Sequence, residues 1–216
     1  MKEIPAQGRH EEWRTLNFEP YMKAVIFDLD GTLYDKSGLA QRLIFSQLLR
    51  GRLGMLKRER EVRKELRGRH FESEEAFYKA FFARFDRPEL ARRWYFEEYM
   101  PDMVSILRKH YRMAPWVETT LLELRSKGRK IVVFSDYGSV REKLSAIGFN
   151  LAWADFIFDA PSLGGLKPCK ESFEKICQEI RLQPSECLMV GDREDTDGAG
   201  ARSVGMPFKR ITKTGR

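Results

Sequence analysis

The stretch Ala24-Val25-Ile26-Phe27-Asp28-Leu29-Asp30-Gly31-Thr32-Leu33 decides how this chain folds. Its first four residues are apolar and β-branched at the centre. The run is too short for a helix and suits a buried strand. Similar runs recur at 131–134 (Ile-Val-Val-Phe) and 187–190 (Cys-Leu-Met-Val), with weaker ones at 156–158 and 208–211. They are continuous rather than alternating, as in a parallel sheet covered on both faces. Helical patterns separate them. Residues 117–127 set Val117, Leu121, Leu122 and Leu124 on one face and stop at Gly128, and 139–147 and 170–180 behave alike. Strand and helix in alternation predict an α/β fold, a doubly wound parallel sheet.

Residues 36–112 break the rhythm. No strand pattern appears there, and Leu39, Leu43, Ile44, Leu48 and Leu49 recur at helical spacing. Ser73, Pro88 and Pro101 mark further helix starts. The expectation is an all-helical insertion of four or five helices, between a core made of 22–35 and 113–216. Residues 1–21 are polar and read as an N-terminal extension.

The 216 residues suffice for a substantial core without disulfide or metal staples. With 42% hydrophobic and 33% charged residues, the composition is that of a globular protein. No window approaches the roughly 18 apolar residues that span a bilayer, and the first twenty contain no apolar signal region. These features predict a cytoplasmic protein, a monomer or homodimer. Lys and Arg number 39 against 32 Asp and Glu, a net charge of +7 that attracts anions of any kind. Cys169, Cys177 and Cys187 fit no zinc spacing and read as free thiols in the core. His10, His70 and His110 lack partner histidines and receive no catalytic role.

Chemistry gathers in four places. Asp28 and Asp30 follow the first strand, where open α/β sheets bind ligands, and Gly31 allows a tight turn with its N–H close to an anion. The pattern Asp-x-Asp-Gly-Thr arises by chance about once per hundred thousand positions. Ser135-Asp136-Tyr137-Gly138 follows the second strand and suits a phosphate, although a plain helix cap would look the same. Lys167, in Gly164-Gly165-Leu166-Lys167-Pro168, could hold a positive charge between a carboxylate and a phosphate; in isolation it would read as a surface lysine. Gly191-Asp192-Arg193-Glu194-Asp195-Thr196-Asp197 is an acidic loop at another strand end, whose hard oxygens suit Mg²⁺.

The order of these four motifs resembles the haloacid dehalogenase (HAD) superfamily of hydrolases, from Met22 to Ile211. That resemblance implies a Rossmann-like core, with the helical insertion as a cap over the leaving group. It implies Asp28 as a nucleophile forming an aspartyl-phosphate and Asp30 as the general acid and base, protonated at the outset. Mg²⁺ would be held by Asp28, the Asp30 carbonyl and Asp192, with Asp197 in its shell directly or at one remove. Gly31, Thr32, Ser135, Asp136 and Lys167 would bind the phosphoryl group, a small-molecule phosphate ester being the substrate. Relatives that remove halide lack an acid two residues after the nucleophile, so Asp30 favours phosphoryl chemistry. Thr32 favours phosphatases over mutases. Asp136 departs from the Asn common at its position; a side chain facing the site would add repulsive charge there.

The insertion between Arg42 and Arg93 holds 15 basic and 8 acidic residues. Attraction of polyanions competes with the plainer reading of Arg58, Arg60, Arg63 and Lys64 as a solvated helix face laced with Glu59, Glu61 and Glu65. Ten aromatics crowd between Phe71 and Tyr99 and read as bundle core. Tyr34, at the hinge into the insertion, is the aromatic placed nearest the substrate. The rival functions are a sugar-phosphate mutase and a catalytically idle nucleic-acid-binding protein; for the latter, nothing beyond the basic insertion speaks.

Overall fold

The computed structural model describes residues 21–211, so the expected extension lies outside the described residues except for Tyr21. In chain order the elements are β1 (Ala24–Phe27), α1 (Leu39–Leu49), α2 (Leu53–Leu66), α3 (Glu74–Phe82), α4 (Pro88–Arg93), α5 (Met100–His110), α6 (Pro115–Ser126), β2 (Lys130–Ser135), α7 (Val140–Ala146), β3 (Phe156–Asp159), α8 (Lys170–Ile180), β4 (Cys187–Gly191), α9 (Ala199–Ser203) and β5 (Phe208–Arg210). The five strands form one parallel sheet, ordered β3-β2-β1-β4-β5. The chain winds outward from β1 to β3, then returns to lay β4 on the other side of β1. The order therefore reverses beside β1, and ligands bind at the carboxyl ends of strands at such a point.

The sequence explains the layering. All of β1 and β4 is buried, as continuous apolar strands require when helices cover both faces. α8 buries Phe173, Ile176, Cys177 and Ile180, one stripe at helical spacing. Burying each such large side chain is worth about 1.5–3 kcal/mol. α6 turns Val117, Leu121 and Leu124 inward, whereas Leu122, expected on that face, is exposed. No described helix is long and apolar enough to cross a membrane.

Between β1 and β2 the described residues form helices and no strand. Leu39 and Leu43 face inward, but Ile44, Leu48 and Leu49 are exposed, and the third inward position is Gln47. Gln47 is tolerated there because its amide donates to Asp102 and accepts from the Trp94 indole N–H. The starts expected at Pro88 and Pro101 are found, Pro88 opening α4 and Pro101 standing in the first turn of α5, but the two helices run on from one another. A π-helical turn, Trp94–Tyr99, joins α4 to α5, and this wide turn admits Pro101, which has no N–H to donate. The aromatics pack against one another: Phe77, Phe81, Trp94 and Tyr95 are buried.

The solvated basic face is only partly found. Lys64 is exposed, but Arg63 and Glu59 are buried and paired with each other. Arg63 also donates to the Tyr95 hydroxyl and the Asp136 carbonyl, and lies over the Tyr137 ring at 3.8 Å. Helical periodicity marks the position, but only the tertiary fold shows that β2's loop covers it.

Candidate active site

The register of the sheet assembles the site. Phe27 lies level with Val133 of β2 and Val190 of β4, so Asp28, Ser135 and Asp192 leave three neighbouring strands at one end. The Asp28 N–H donates to the Val190 carbonyl and continues the ladder, which fixes where the carboxylate emerges. Gly31 adopts φ +105°, and a Cβ there would collide with the Asp192 carboxylate and meet Lys36 Nζ at 2.7 Å. Only glycine lets this turn pass so close to the acidic loop.

Lys167 is fully buried, and its ammonium donates to Asp28 Oδ1 and Asp197 Oδ1, both at 2.6 Å. The Thr32 hydroxyl donates to Asp28 Oδ2 at 3.0 Å, so both Asp28 carboxylate oxygens are fixed. Burial, with the charges of Asp197 and Asp30, outweighs Lys167 and pushes the Asp28 carboxyl up to about 7. For Lys167 burial acts the other way, yet Asp28, Asp197 and Asp136 hold its ammonium firmly protonated.

Asp30 is built differently. Tyr34 donates its hydroxyl to Asp30 Oδ1 at 2.6 Å. Ser135 Oγ, 3.1 Å away, and the buried ammonium of Lys143 both donate to Oδ2. Burial pushes the Asp30 carboxyl up, but Lys143 and these hydrogen bonds prevail and hold it below its ordinary value. The resting carboxyl is ionised, whereas the sequence reading required it protonated: the nearest charge is a lysine that the motif pattern did not reveal. Tyr34 is buried with its hydroxyl on Asp30, and its ring packs edge-on to Tyr111.

The remaining motif residues fall around this pair. Asp136 Oδ1 accepts from the Lys167 backbone N–H at 2.9 Å, so its charge is spent on fixing the lysine loop. The oxygens of Asp28, Asp192 and Asp197 lie within 4.8 Å of one another. Lys36 donates to the Asp30 carbonyl at 2.6 Å and pairs with Asp192 at 2.7 Å. An ammonium thus bridges two of the oxygens that the motifs assign to a metal, which shows that they converge on a cation. These hard oxygen donors fit Mg²⁺. Asp197 is committed elsewhere, one oxygen to Lys167 and the other to the Arg193 N–H at 3.2 Å.

Sequence reasoning missed Lys36, Lys143 and Arg63. Lys143 gave the faintest signal, as a lysine on the buried face of a short helix. Four carboxylates (Asp28, Asp30, Asp192, Asp197) thus meet three ammoniums (Lys36, Lys143, Lys167) in one crevice. Such an arrangement can hold a cation and an anion side by side.

Comparison with known proteins gives a consistent result. The profile of the haloacid dehalogenase-like hydrolase family matches residues 22–205. The chain is 28% identical over 198 residues to glyceraldehyde 3-phosphate phosphatase of Methanothermobacter thermautotrophicus, covering 86% of this chain and 83% of that protein. It is 30% identical over 212 residues to human N-acylneuraminate-9-phosphatase, covering 86% and 80%. Among solved structures, a HAD phosphatase from Thermococcus onnurineus superposes with a TM-score of 0.63 at 24% identity, over 90% of this chain and 88% of that one. A magnesium-bound HAD-hydrolase from Bacillus subtilis gives 0.63 at 15% identity, over 87% of each chain. At these identities the structures show the shared fold.

Proposed function

The chain belongs to the haloacid dehalogenase-like hydrolases, and from that membership we propose a phosphatase that hydrolyses the phosphomonoester of a small metabolite. The observation that carries this reading is the pairing of two carboxylates, two residues apart, in opposite electrostatic settings: Asp28 on Lys167 and Thr32, Asp30 on Tyr34, Ser135 and Lys143. Environments that push two carboxyls apart in pKa assign them different roles.

Asp28 attacks phosphorus, forming an aspartyl-phosphate as the ester oxygen departs. Asp30 protonates that oxygen and then takes a proton from the attacking water. Since Asp30 rests ionised, it must gain a proton as substrate arrives. The arrangement supplies a reason. Ser135, the family's phosphate ligand, now donates to Asp30; when it turns to the phosphoryl oxygens, Asp30 loses that donor and gains a dianion as neighbour. Lys167 and the N–H groups of Gly31 and Asp136 hold the phosphoryl oxygens. Thr32 and Asp197 act through Asp28 and Lys167, and Tyr34 through Asp30. Mg²⁺ would be held by Asp28, the Asp30 carbonyl and Asp192, with Asp197 behind them. It supplies positive charge that lets an anionic nucleophile approach a phosphate dianion.

We assign residues 22–35 and 113–216 to the catalytic core and 36–112 to a cap that selects the leaving group. Arg63 of α2 is its contact with the loop after β2. A cytoplasmic monomer or homodimer fits the composition.

The test is phosphate release from a panel including glyceraldehyde 3-phosphate and N-acylneuraminate 9-phosphate, with Mg²⁺ or with chelator, for wild type and Asp28→Asn. Mg²⁺-dependent turnover that disappears in Asp28→Asn is the expected result. Turnover unaffected by the substitution would overturn the assignment of the nucleophile, and transfer of phosphate within the substrate, without release, would indicate a mutase.

A further inference from the structure

We propose that His70, Cys169 and Glu171 form a binding site for Zn²⁺, or a similar borderline-soft divalent ion, at the seam between the loop after α2 and the start of α8. The imidazole nitrogen, thiol sulfur and carboxylate oxygen lie within 4.8 Å of one another. The Cys169 Sγ to Glu171 Oε2 distance is already 3.2 Å. Zn²⁺ takes such donors at about 2.0–2.3 Å, which sets tetrahedral ligand atoms roughly 3.3–3.8 Å apart. His70 is exposed, so its ring has room to turn toward the other two donors. Water fills the fourth position.

The backbone here is fixed before any ion binds. The Gly68 N–H donates to the Leu166 carbonyl at 3.1 Å, and the Phe71 N–H to the Gly164 carbonyl at 2.6 Å. A Cβ at Gly164 would collide with the Phe71 carbonyl; one at Gly165 would stand 2.6 Å from the Arg69 carbonyl. The two glycines let the two loops of this seam approach closely, with His70 beside Cys169. A nitrogen, a sulfur and an oxygen form a different donor class from the all-oxygen centre at Asp28 and Asp192, and prefer a different metal. The proposal does not depend on the phosphatase reading. Its consequence is mechanical. An ion held by His70 on one side and Cys169 on the other ties the helical insertion to the loop that carries Lys167. Binding releases the thiol proton to solvent, so affinity rises with pH.

The experiment titrates the full chain with Co²⁺ in excess Mg²⁺, reading the near-ultraviolet thiolate-to-cobalt band, and obtains Zn²⁺ affinity by competition. One equivalent of ion with a thiolate band is expected. The band disappears in Cys169→Ser, Zn²⁺ affinity falls at least tenfold in His70→Ala, and it is unchanged in Asp192→Asn. Zn²⁺ should also raise the melting temperature of wild type more than that of His70→Ala. His70 is exposed, so that variant serves if Cys169→Ser does not fold. Absence of a band in wild type, its survival in a folded Cys169→Ser, unchanged affinity in His70→Ala, or loss of Zn²⁺ binding in Asp192→Asn would each overturn the proposal.

Discussion

Replacing Asp28 by Asn should stabilise this protein in the absence of divalent metal, and only above a definite pH. The Asp28 carboxyl is pushed from 3.8 to about 7 because it is buried and shares its crevice with Asp197 and Asp30. A folded-state value above the unfolded one means that the native state binds the proton more tightly. The contribution of this carboxyl to wild-type stability is therefore fully present below about pH 4, falls as pH rises from there to about 7, and is absent above. At about 1.4 kcal/mol per pKa unit the full loss is on the order of 4 kcal/mol. Asn imitates the protonated carboxyl and escapes the loss. Its oxygen can accept from Lys167, and the Thr32 hydroxyl can reverse to accept from the amide. The expected gain at pH 8 is about 2–4 kcal/mol, shrinking towards zero near pH 4. Urea unfolding of both proteins in chelator, at pH 5 and pH 8, measures it. Mg²⁺ should then recover more stability in wild type than in the variant, about 2.7 kcal/mol at a hundredfold excess over Kd. An Asp28→Asn protein equal to or weaker than wild type at pH 8 would refute the argument, since Lys167 would then outweigh burial.

Three further substitutions test neighbouring parts of the site. Lys167→Met strands the buried carboxylates of Asp28 and Asp197, so unfolding free energy at pH 8 should drop by about 3–5 kcal/mol, with turnover lost. Lys143→Met removes the charge that holds Asp30 low. The limb of the kcat/KM pH–rate profile that Asp30 governs should move to higher pH, while an unmoved profile would show that Asp30 does not govern it. Lys36→Met removes an ammonium from the Asp30 carbonyl and Asp192, and Mg²⁺ measured by calorimetry should bind several-fold more tightly. That factor corresponds to about 1 kcal/mol, the scale of one charge pair in a solvent-exposed setting.

The sequence by itself determined the sheet and the ends of its strands. Continuous apolar runs such as 24–27 and 187–190, alternating with helical patterns, point to a doubly covered parallel sheet, and chain order then places the residue after each strand at one edge. That is why Asp28, Ser135 and Asp192 could be assembled before any coordinates. The limits of the helices that touch one another were less legible. Pro101 reads as the start of a separate helix and does stand in the first turn of α5, but local rules cannot see the π turn that joins α5 to α4. Leu48 and Leu49 read as core, although the fold turns them outward and turns Gln47 in.

What only the tertiary structure decided is the charge on each carboxyl. Asp28 and Asp30 are chemically identical and stand two residues apart, yet one is driven up by burial and the other held down by Lys143, a residue far along the chain. The same holds for Arg63, a surface residue by helical pattern that the fold buries against Glu59, Tyr95 and Tyr137. Periodicity and motif spacing report which face and which loop a residue occupies. The electrostatic work at a site depends on distance through space and on exclusion of water, and neither is a local property of the chain.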